Sequence, residues 1–338
     1  MAVGQMGKRG RRHHPRRRHL RLPSAFAEFH ERIQLGAIPE GKISSAWSRL
    51  QAYLIAELTI PQLDVFVQGS YANKTAVKPP TSGREYDLDT VAIGFDSDAT
   101  ADAALERLEG ILAKDGDYKK RIEQRAPCVR LGYAGDDEGH FHVDVVPAKH
   151  ESVPVIQVPR RKEGWHDSDP RSYTTWCLSQ GAQFSRAVRM LKRWRDVQQS
   201  DRRKVKSIVL QVLIGQFYGG GSGDADTVVA VLAGIEGFLA DFPATVPSVV
   251  NPVLPAEDLT ARWPLDDYRD FRREVTEAAA LARDALAAQS EAESHRLWRQ
   301  LFGLDFPPAP PTSSDVPPTP RPGYERFPQS APRQERYA

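Results

Sequence analysis

The feature that most constrains the fold is a pair of acidic residues inside an apolar strand pattern at positions 86–93. β-branched and aromatic residues dominate this stretch and the earlier stretch 63–67, so we predict a strand in each. Alternate side chains of a strand share a face, so Asp87 and Asp89 point the same way while Leu88 points to the other face. Such close carboxylates repel each other unless a cation lies between them. Because hard divalent cations prefer oxygen ligands, the pair indicates a magnesium site, although an exposed acidic edge would give the same pattern.

A glycine and a serine, Gly69 and Ser70, directly follow the earlier strand. Glycine lets backbone N–H groups approach an anion, and a serine hydroxyl adds a further donor. We therefore interpret these residues as a phosphate-binding turn. Such a turn shortly before a carboxylate pair predicts metal-assisted phosphoryl or nucleotidyl transfer.

A third carboxylate, Asp144, lies in a strand pattern at positions 141–147. A glycine-containing turn at 134–139 connects this stretch to residues 125–133, which predicts a hairpin in the same sheet. Asp144 has a valine on each side, and a carboxylate is costly to bury there unless it is ion-paired or bound to a metal. We expect Asp144 to join the other two acids. The alternative is a strand-end acid that pairs with an arginine.

Together these motifs resemble the nucleotidyltransferase fold of DNA polymerase β relatives. They are still more similar to the cGAS/DncV-like nucleotidyltransferases (CD-NTases) of bacterial CBASS anti-phage systems. The resemblance extends from about residue 26 to residue 306, and it rests on the stretches 68–75, 86–89, 142–147, 190–196 and 251–255. It implies an α/β (α+β) protein with a polymerase β-like fold, in which a mixed-sheet lobe and a helical lobe enclose a cleft.

The resemblance also implies how the triphosphate of the donor nucleotide is bound. Gly69 and Ser70 would hold its β- and γ-phosphates together with Lys192, and Ser207 would assist. A lysine suits a cluster of phosphates because its ammonium group acts as a point charge. Since residues 183–197 predict a basic helix, an ordinary solvated lysine is the alternative for Lys192.

The three acids would be the catalytic residues and the metal ligands. By resemblance, Asp87 and Asp89 bind the ion that carries the nucleotide, and Asp144 joins them to bind a second ion. The cofactors implied are therefore two Mg²⁺ ions, with Mn²⁺ as a substitute.

The activity implied by the resemblance is synthesis of a cyclic di- or oligonucleotide second messenger from NTPs, purines among them, with release of pyrophosphate. In anti-phage defence, a downstream effector would sense the product rather than bind the enzyme. Two alternatives stay open: a nucleotidyltransferase that modifies RNA or protein, and a nucleic-acid-binding protein with a vestigial site. The three acids and the formal net charge of only +2 over 338 residues argue against the second.

We predict four regions along the chain. Residues 1–23 form a basic disordered arm, which either contacts nucleic acid phosphates or is a solvated tail. Residues 24–160 form the catalytic lobe with its leading helices, and residues 161–304 form a helical lobe that closes the active site. Residues 305–338 form a proline-rich disordered tail, which is either joined to a partner by a ligation apparatus, as in part of the family, or an inert linker.

Composition bears on the cellular compartment. Two cysteines, Cys128 and Cys177, are too few for a disulfide framework and suit a reducing cytoplasm. No apolar run approaches membrane-spanning length. We therefore expect a cytoplasmic protein that does not contact a membrane.

Some local predictions concern the surroundings of the site. Ser24 is expected to cap the first helix, residues 160–165 to form a basic loop, and residues 251–260 to run from a loop into a helix. In the family, the segment that contains Trp165 and Tyr173 crosses between the lobes near the nucleotides. Either aromatic ring could stack on a base, or pack between the lobes.

Overall fold

The computed structural model describes residues 19–79, 85–136, 139–198, 205–220 and 223–311. Within them, the strands are β1 Asp64–Gln68, β2 Glu85–Ile93, β3 Ile122–Gln124, β4 Val129–Asp136, β5 Gly139–Ser152, β6 Val155–Arg160 and β7 Gly164–Ser168. The helices of the first half are α1 Pro23–Ile33, α2 Ala37–Leu58, α3 Gly69–Ala72, α4 Ala101–Leu112 and α5 Gly116–Lys119. The helices of the second half are α6 Pro170–Ser179, α7 Ala182–Gln198, α8 Ser207–Phe217, α9 Asp224–Ala240, α10 Leu265–Leu286 and α11 Glu291–Phe302, followed by a 3₁₀ turn at Gly303–Asp305. The predicted α/β architecture is confirmed.

A mixed sheet forms the base of the sheet lobe, with the strand order β1-β2-β5-β4-β3. β2 and β5 run parallel, whereas the other neighbours in this order are antiparallel. The long β5 also pairs with β6, and β6 pairs with β7. The predicted hairpin is confirmed as β4 and β5, and the strand that carries Asp144 is a direct neighbour of the strand that carries Asp87 and Asp89.

The alternation along β2 decides which side chains enter the core of the sheet lobe. Leu88 is fully buried with Val143 of β5, Leu50 of α2 and Leu105 of α4. Burial of a leucine side chain contributes about 1.5–3 kcal/mol, so this face fixes the register of the strand. The acids at alternate positions of β2 therefore lie on the opposite face.

The helical lobe has its own core, which is built around α7 and includes the fully buried Trp194. Helix α1 packs in this core and not on the sheet, although it precedes α2 and we predicted both leading helices in the catalytic lobe. The ring of Phe26 stands edge-on to Trp298, with 5.0 Å between ring centroids, and to Phe306, at 5.1 Å. The aromatic residues of α1 thus join the two ends of the described chain.

The start of α1 differs from the prediction. The helix begins at Pro23, whose fixed φ suits a first turn. Leu22 occupies the cap position and makes no side-chain cap hydrogen bond. Ser24 lies within the helix and is not its cap.

Two loops also differ from the prediction. The chain turns back after Arg160, and residues 164–168 pair with β6 as strand β7, so the basic stretch is a short turn between strands. Residues 251–260 contain no helix start, and α10 begins only at Leu265. Prolines at positions 252 and 255 lack the N–H group that a helix interior requires.

The last residues of the predicted N-terminal arm are bound to the helical lobe. The N–H group of Leu20 donates to the Leu286 carbonyl (2.9 Å), and Arg21 pairs with Asp226 (2.6 Å). Residues 1–18, which carry most of the predicted basic arm, lie outside the described residues.

Packing on the helical lobe also continues past the predicted boundary at residue 304. Phe306 is fully buried, and the Pro307 carbonyl lies 3.0 Å from Nδ1 of His295. The rest of the predicted tail, from residue 312, lies outside the described residues. No helix in the described part of the chain is long and apolar enough to cross a membrane.

We predict that Phe306→Ala lowers the free energy of unfolding by about 3–5 kcal/mol, because it leaves a cavity among aromatic rings. Chemical denaturation monitored by tryptophan fluorescence measures this change. Leu304→Ala is the matched control, because Leu304 is 81% exposed and its truncation should change stability by less than about 0.5 kcal/mol. Equal effects of the two substitutions would contradict the packing described here.

Candidate active site

A cleft of about 540 Å³ lies between the two lobes. The sheet lobe contributes the predicted phosphate-binding turn and two of the predicted acids, and the helical lobe contributes the predicted lysine and serine. The predicted residues that line the cleft are Gly69, Ser70, Asp87, Asp89, Lys192 and Ser207. Asp144 lies one strand further, directly opposite Asp89 in the parallel pairing of β2 with β5. The structure thus brings the predicted residues to one place, while their roles stay predictions.

Gly69 lies against the acidic pair, and its position requires glycine for two reasons. Its φ angle is 71°, in the left-handed region that side chains disfavour. A Cβ atom at this position would lie 2.1 Å from Oδ2 of Asp89. The missing side chain therefore lets the Asp89 carboxylate approach the backbone of the turn.

Asp89 is the most crowded of the acids. Burial raises its pKa well above the usual range, and the negative charges of Asp87 and Asp144 raise it further. The positive charges of Lys192 and Arg130 oppose this rise in pKa. Such a carboxylate is stabilised in its ionised form by any additional cation.

Asp144 makes a bidentate ion pair with Arg130 of β4. Nε of Arg130 donates to Oδ1 at 2.7 Å, and Nη2 donates to Oδ2 at 2.9 Å. The two residues face each other in the register of β4 and β5. Asp144 therefore lies beside the other acids, as predicted, and it also pairs with an arginine, as the alternative proposed. Arg130 itself was not predicted, although a lone cation between Val129 and Leu131 in a strand pattern was a signal for a buried acidic partner.

The donor set fits a divalent cation in part. Asp87 and Asp89 offer hard oxygen ligands on one face, which suits a magnesium ion that also binds substrate phosphates. In the described part of the chain, no three acidic, histidine or cysteine side chains are arranged to hold a metal ion together. Both oxygens of Asp144 accept hydrogen bonds from Arg130 instead. The pair alone fits one ion, and a second ion would require Asp144 to share its oxygens.

Lys192 is buried at the cleft, and its Nζ donates to the Thr75 carbonyl at 3.1 Å. Its pKa is lowered to about 8, mainly by burial and also by the positive charge of Arg195, while the negative charges of Asp87, Asp196 and Asp89 oppose this shift. The alternative interpretation of Lys192 as an ordinary solvated lysine is therefore wrong. A buried lysine of this kind gains from an anion placed beside it.

Two further residues of α7 hold the same segment as Lys192. Arg189 donates to the Lys74 carbonyl, and Arg193 donates to the Lys78 carbonyl. We call this set of three side chains the α7 clasp. The clasp fixes the segment that directly follows the Gly69-Ser70 turn, and its sequence signal was the high density of cations along α7.

Ser207 is exposed at the start of α8, and its Oγ accepts a hydrogen bond from Arg195 Nη1 at 2.9 Å. Tyr173 lines the cleft. Trp165 does not, because its indole N–H donates to the Ala99 carbonyl and its ring packs on the core of the sheet lobe. Base stacking thus remains a prediction, and of the two rings only that of Tyr173 lines the cleft.

Comparison with known proteins gives one domain match. The profile of the "Second Messenger Oligonucleotide or Dinucleotide Synthetase domain" matches residues 20–180. These residues include α1, the whole sheet lobe and the first helix of the helical lobe after the sheet. The phosphate-binding turn and all three acids lie within the match.

Similar proteins extend this match over most of the chain. A c-di-GMP synthase of Roseivirga ehrenbergii is 24% identical over 330 residues, which cover 84% of this chain and 85% of that protein. A cyclic AMP-AMP-AMP synthase of Acinetobacter sp. is 25% identical over 267 residues, with coverages of 74% and 75%. The solved structure of the Bradyrhizobium diazoefficiens CD-NTase CdnG in complex with GTP superimposes with a TM-score of 0.69 and 19% identity, and covers 83% of this chain and 96% of that one.

We predict that Gly69→Ala disrupts the candidate site, because the new Cβ would collide with Asp89 and the backbone would be strained. Divalent-ion binding, measured by isothermal titration with Mn²⁺, should weaken at least about tenfold, and strain in the left-handed region should cost about 1–2 kcal/mol of stability. Gly41→Ala is the control. No atom lies within 4 Å of its added Cβ, and alanine in the interior of α2 should stabilise the protein by about 0.5–1 kcal/mol. Unchanged Mn²⁺ binding in Gly69→Ala would contradict this account of the turn.

Proposed function

The chain belongs to the cGAS/DncV-like nucleotidyltransferases, and on this premise we propose that it makes a cyclic di- or oligonucleotide second messenger from NTPs in a metal-dependent reaction. The predicted enzyme class, a nucleotidyltransferase, is confirmed. Metal dependence, purine NTPs as substrates, a cytoplasmic location and a role in anti-phage defence form the finer part of the proposal.

One observation carries the proposal. Asp87 and Asp89 face a cleft that is also lined by the Gly69-Ser70 turn, and Asp144 lies beside Asp89 on the next strand. Carboxylates in register beside an anion-binding turn suit a substrate that carries both phosphates and divalent ions. A protein that only binds nucleic acid does not need such a cluster of carboxylates, which would repel the phosphates.

Each residue of the site has a distinct role in the proposed reaction. The backbone and hydroxyl of the turn would hold the terminal phosphates, with Lys192 and Ser207 on the facing lobe. Asp87 and Asp89 would supply oxygen ligands, and Asp144 would act beside them. Divalent ions held there would neutralise phosphate charge and lower the pKa of the attacking ribose hydroxyl. In-line attack of that hydroxyl on the α-phosphate forms a phosphodiester bond and releases pyrophosphate, and the last such transfer, within the linear product, closes the ring.

The first test is product formation. Purified protein is incubated with the four radiolabelled NTPs and Mg²⁺ or Mn²⁺, and the products are treated with phosphatase and separated. We expect a phosphatase-resistant product that Asp87→Asn/Asp89→Asn reduces at least about 100-fold, because the amides no longer supply the anionic oxygen ligands that would hold the divalent ions. Asp98→Asn, which changes an exposed acid outside the cleft, should leave the yield unchanged.

Other outcomes of the same assay decide between enzyme classes. Label that becomes attached to added RNA or to protein, without a phosphatase-resistant nucleotide, would replace the proposal by a transferase that modifies macromolecules. The same yield with and without a chelator would contradict metal dependence. The assay is repeated with lysate of phage-infected cells, which supplies any activating component.

We also predict that Lys192 itself takes up about half a proton when an NTP binds at pH 8, because the anion raises the pKa of Lys192 from its value of about 8. At pH 6 the lysine is already charged and contributes no uptake. Titration calorimetry of a non-hydrolysable NTP in buffers with different ionisation enthalpies measures the difference.

The matched variants are Lys192→Arg, which keeps the charge without titrating in this range, and Lys114→Arg at an exposed position. The measured uptake should be lower by about half a proton in the first variant and unchanged in the second. Uptake that is the same in both variants would exclude Lys192 as the titrating group.

A further inference from the structure

An irregular loop of the helical lobe forms part of the cleft wall through Asn251 and Glu257. Although it has no helix, backbone hydrogen bonds fix its shape. The N–H of Asn251 donates to the Glu257 carbonyl (3.0 Å), and the N–H of Glu257 donates to the Leu254 carbonyl (2.8 Å). A bridge between Val250 and Asp258 closes the loop. Glu257 therefore has a fixed backbone position beside the cleft.

The Glu257 side chain is also held in place. Asn251 is buried, its Nδ2 donates to Oε2 of Glu257 at 2.7 Å, and its Oδ1 accepts from the Val253 N–H at 3.1 Å. The amide is thus used at both ends and orients the carboxylate. Among the described residues, Oε1 of Glu257 has no hydrogen-bond donor, and the carboxylate has no cationic partner. The loop therefore keeps an acceptor oxygen available on a residue that lines the cleft.

A carboxylate in a cleft for an anionic nucleotide needs a donor on the ligand, because a second negative charge would repel it. The turn and the acids, where we expect the phosphates, belong to the sheet lobe, whereas Glu257 belongs to the helical lobe. What reaches the loop is then the base or the ribose. An ionised carboxylate accepts hydrogen bonds only. Guanine offers two neighbouring donors, N1–H and the N2 amino group, while adenine offers its amino group beside N1, which is an acceptor.

We propose that Glu257 recognises the Watson–Crick edge of guanine, so that the cleft selects GTP over ATP at one of its nucleotide positions. The proposal rests on the nucleotidyltransferase function above and names a substrate for the same site. Asn251 is a positioning residue in this arrangement, since its amide bonds Glu257 and the Val253 N–H and so orients the carboxylate. The donor–donor edge of guanine would meet Oε1, whereas adenine would bring a lone pair against it.

The test uses isothermal titration of the full chain with the non-hydrolysable α,β-methylene analogues of GTP, ATP and ITP in the presence of Mg²⁺. The wild-type protein should bind the GTP analogue at least about tenfold more tightly than the ATP analogue, as expected for paired hydrogen bonds to a base edge. The ITP analogue, which lacks the N2 amino group, should bind with intermediate affinity.

Glu257→Gln is the decisive variant, because the carboxamide can keep the Asn251 bond through its oxygen and then presents an N–H donor to the cleft. We expect about 10–100-fold weaker binding of the GTP analogue and equal or tighter binding of the ATP analogue. Glu277→Gln, an exposed glutamate on α10, is the matched control and should bind as the wild type does. Equal unfolding midpoints for the variants show that the fold is retained.

Three outcomes overturn the inference. If Glu257→Gln weakens the binding of the GTP and ATP analogues equally, the carboxylate contacts the ribose and not the base. A wild-type protein that prefers the ATP analogue while making a cyclic product would leave the proposed function intact and exclude the guanine contact. A wild-type protein that binds no analogue and makes no product would overturn both. If Glu257→Gln fails to fold, the wild-type ranking GTP over ITP over ATP still decides the question.

Discussion

Electrostatic crowding around Asp89 is the constraint on which the cleft depends. Three carboxylates occupy neighbouring positions on β2 and β5, and their mutual repulsion must be balanced within the folded chain. The balance comes from two sides, because Arg130 belongs to the sheet lobe and Lys192 to the helical lobe. Neither lobe alone contains both cations, so the state of the acids depends on how the lobes meet. The arrangement places the acids where an incoming cation lowers their repulsion further.

The α7 clasp explains how the helical lobe holds cations at the cleft: each donates to a backbone carbonyl, and Arg193 also pairs with Asp305. Buried cations are costly unless they are hydrogen-bonded, and here backbone carbonyls of residues 74–78 accept from Arg189, Lys192 and Arg193. The same carbonyls belong to the segment that continues from the Gly69-Ser70 turn. A ligand that draws Lys192 toward its phosphates therefore acts on the segment that holds the turn.

Period-two patterning predicted the shared face of Asp87 and Asp89, the hairpin that carries Asp144, and the buried role of Leu88. The same reasoning could not name Arg130, because the pairing of two strands depends on the register that the turn between them sets. It could not assign α1 to a lobe, since an amphipathic helix indicates that it packs but not on which core. The burial of Phe306 was not predicted, because the surrounding stretch is rich in proline and a single aromatic residue does not change the prediction of disorder. The position of Glu257 could not be predicted, because its loop has no helical or strand periodicity and is shaped by hydrogen bonds within the folded chain.

The packing of α1 against the far end of the described chain has a consequence for the order of folding during synthesis. Helix α1 leaves the ribosome before the sheet, yet its aromatic partners Trp298 and Phe306 emerge after every described strand. The sheet lobe has its complete set of strands and core residues by position 168 and can fold while the rest is still being translated. Helix α1 must wait with exposed phenylalanines for its partners. A nascent chain released early would therefore carry a finished sheet and an unsatisfied apolar helix, a form that chaperones and proteases recognise.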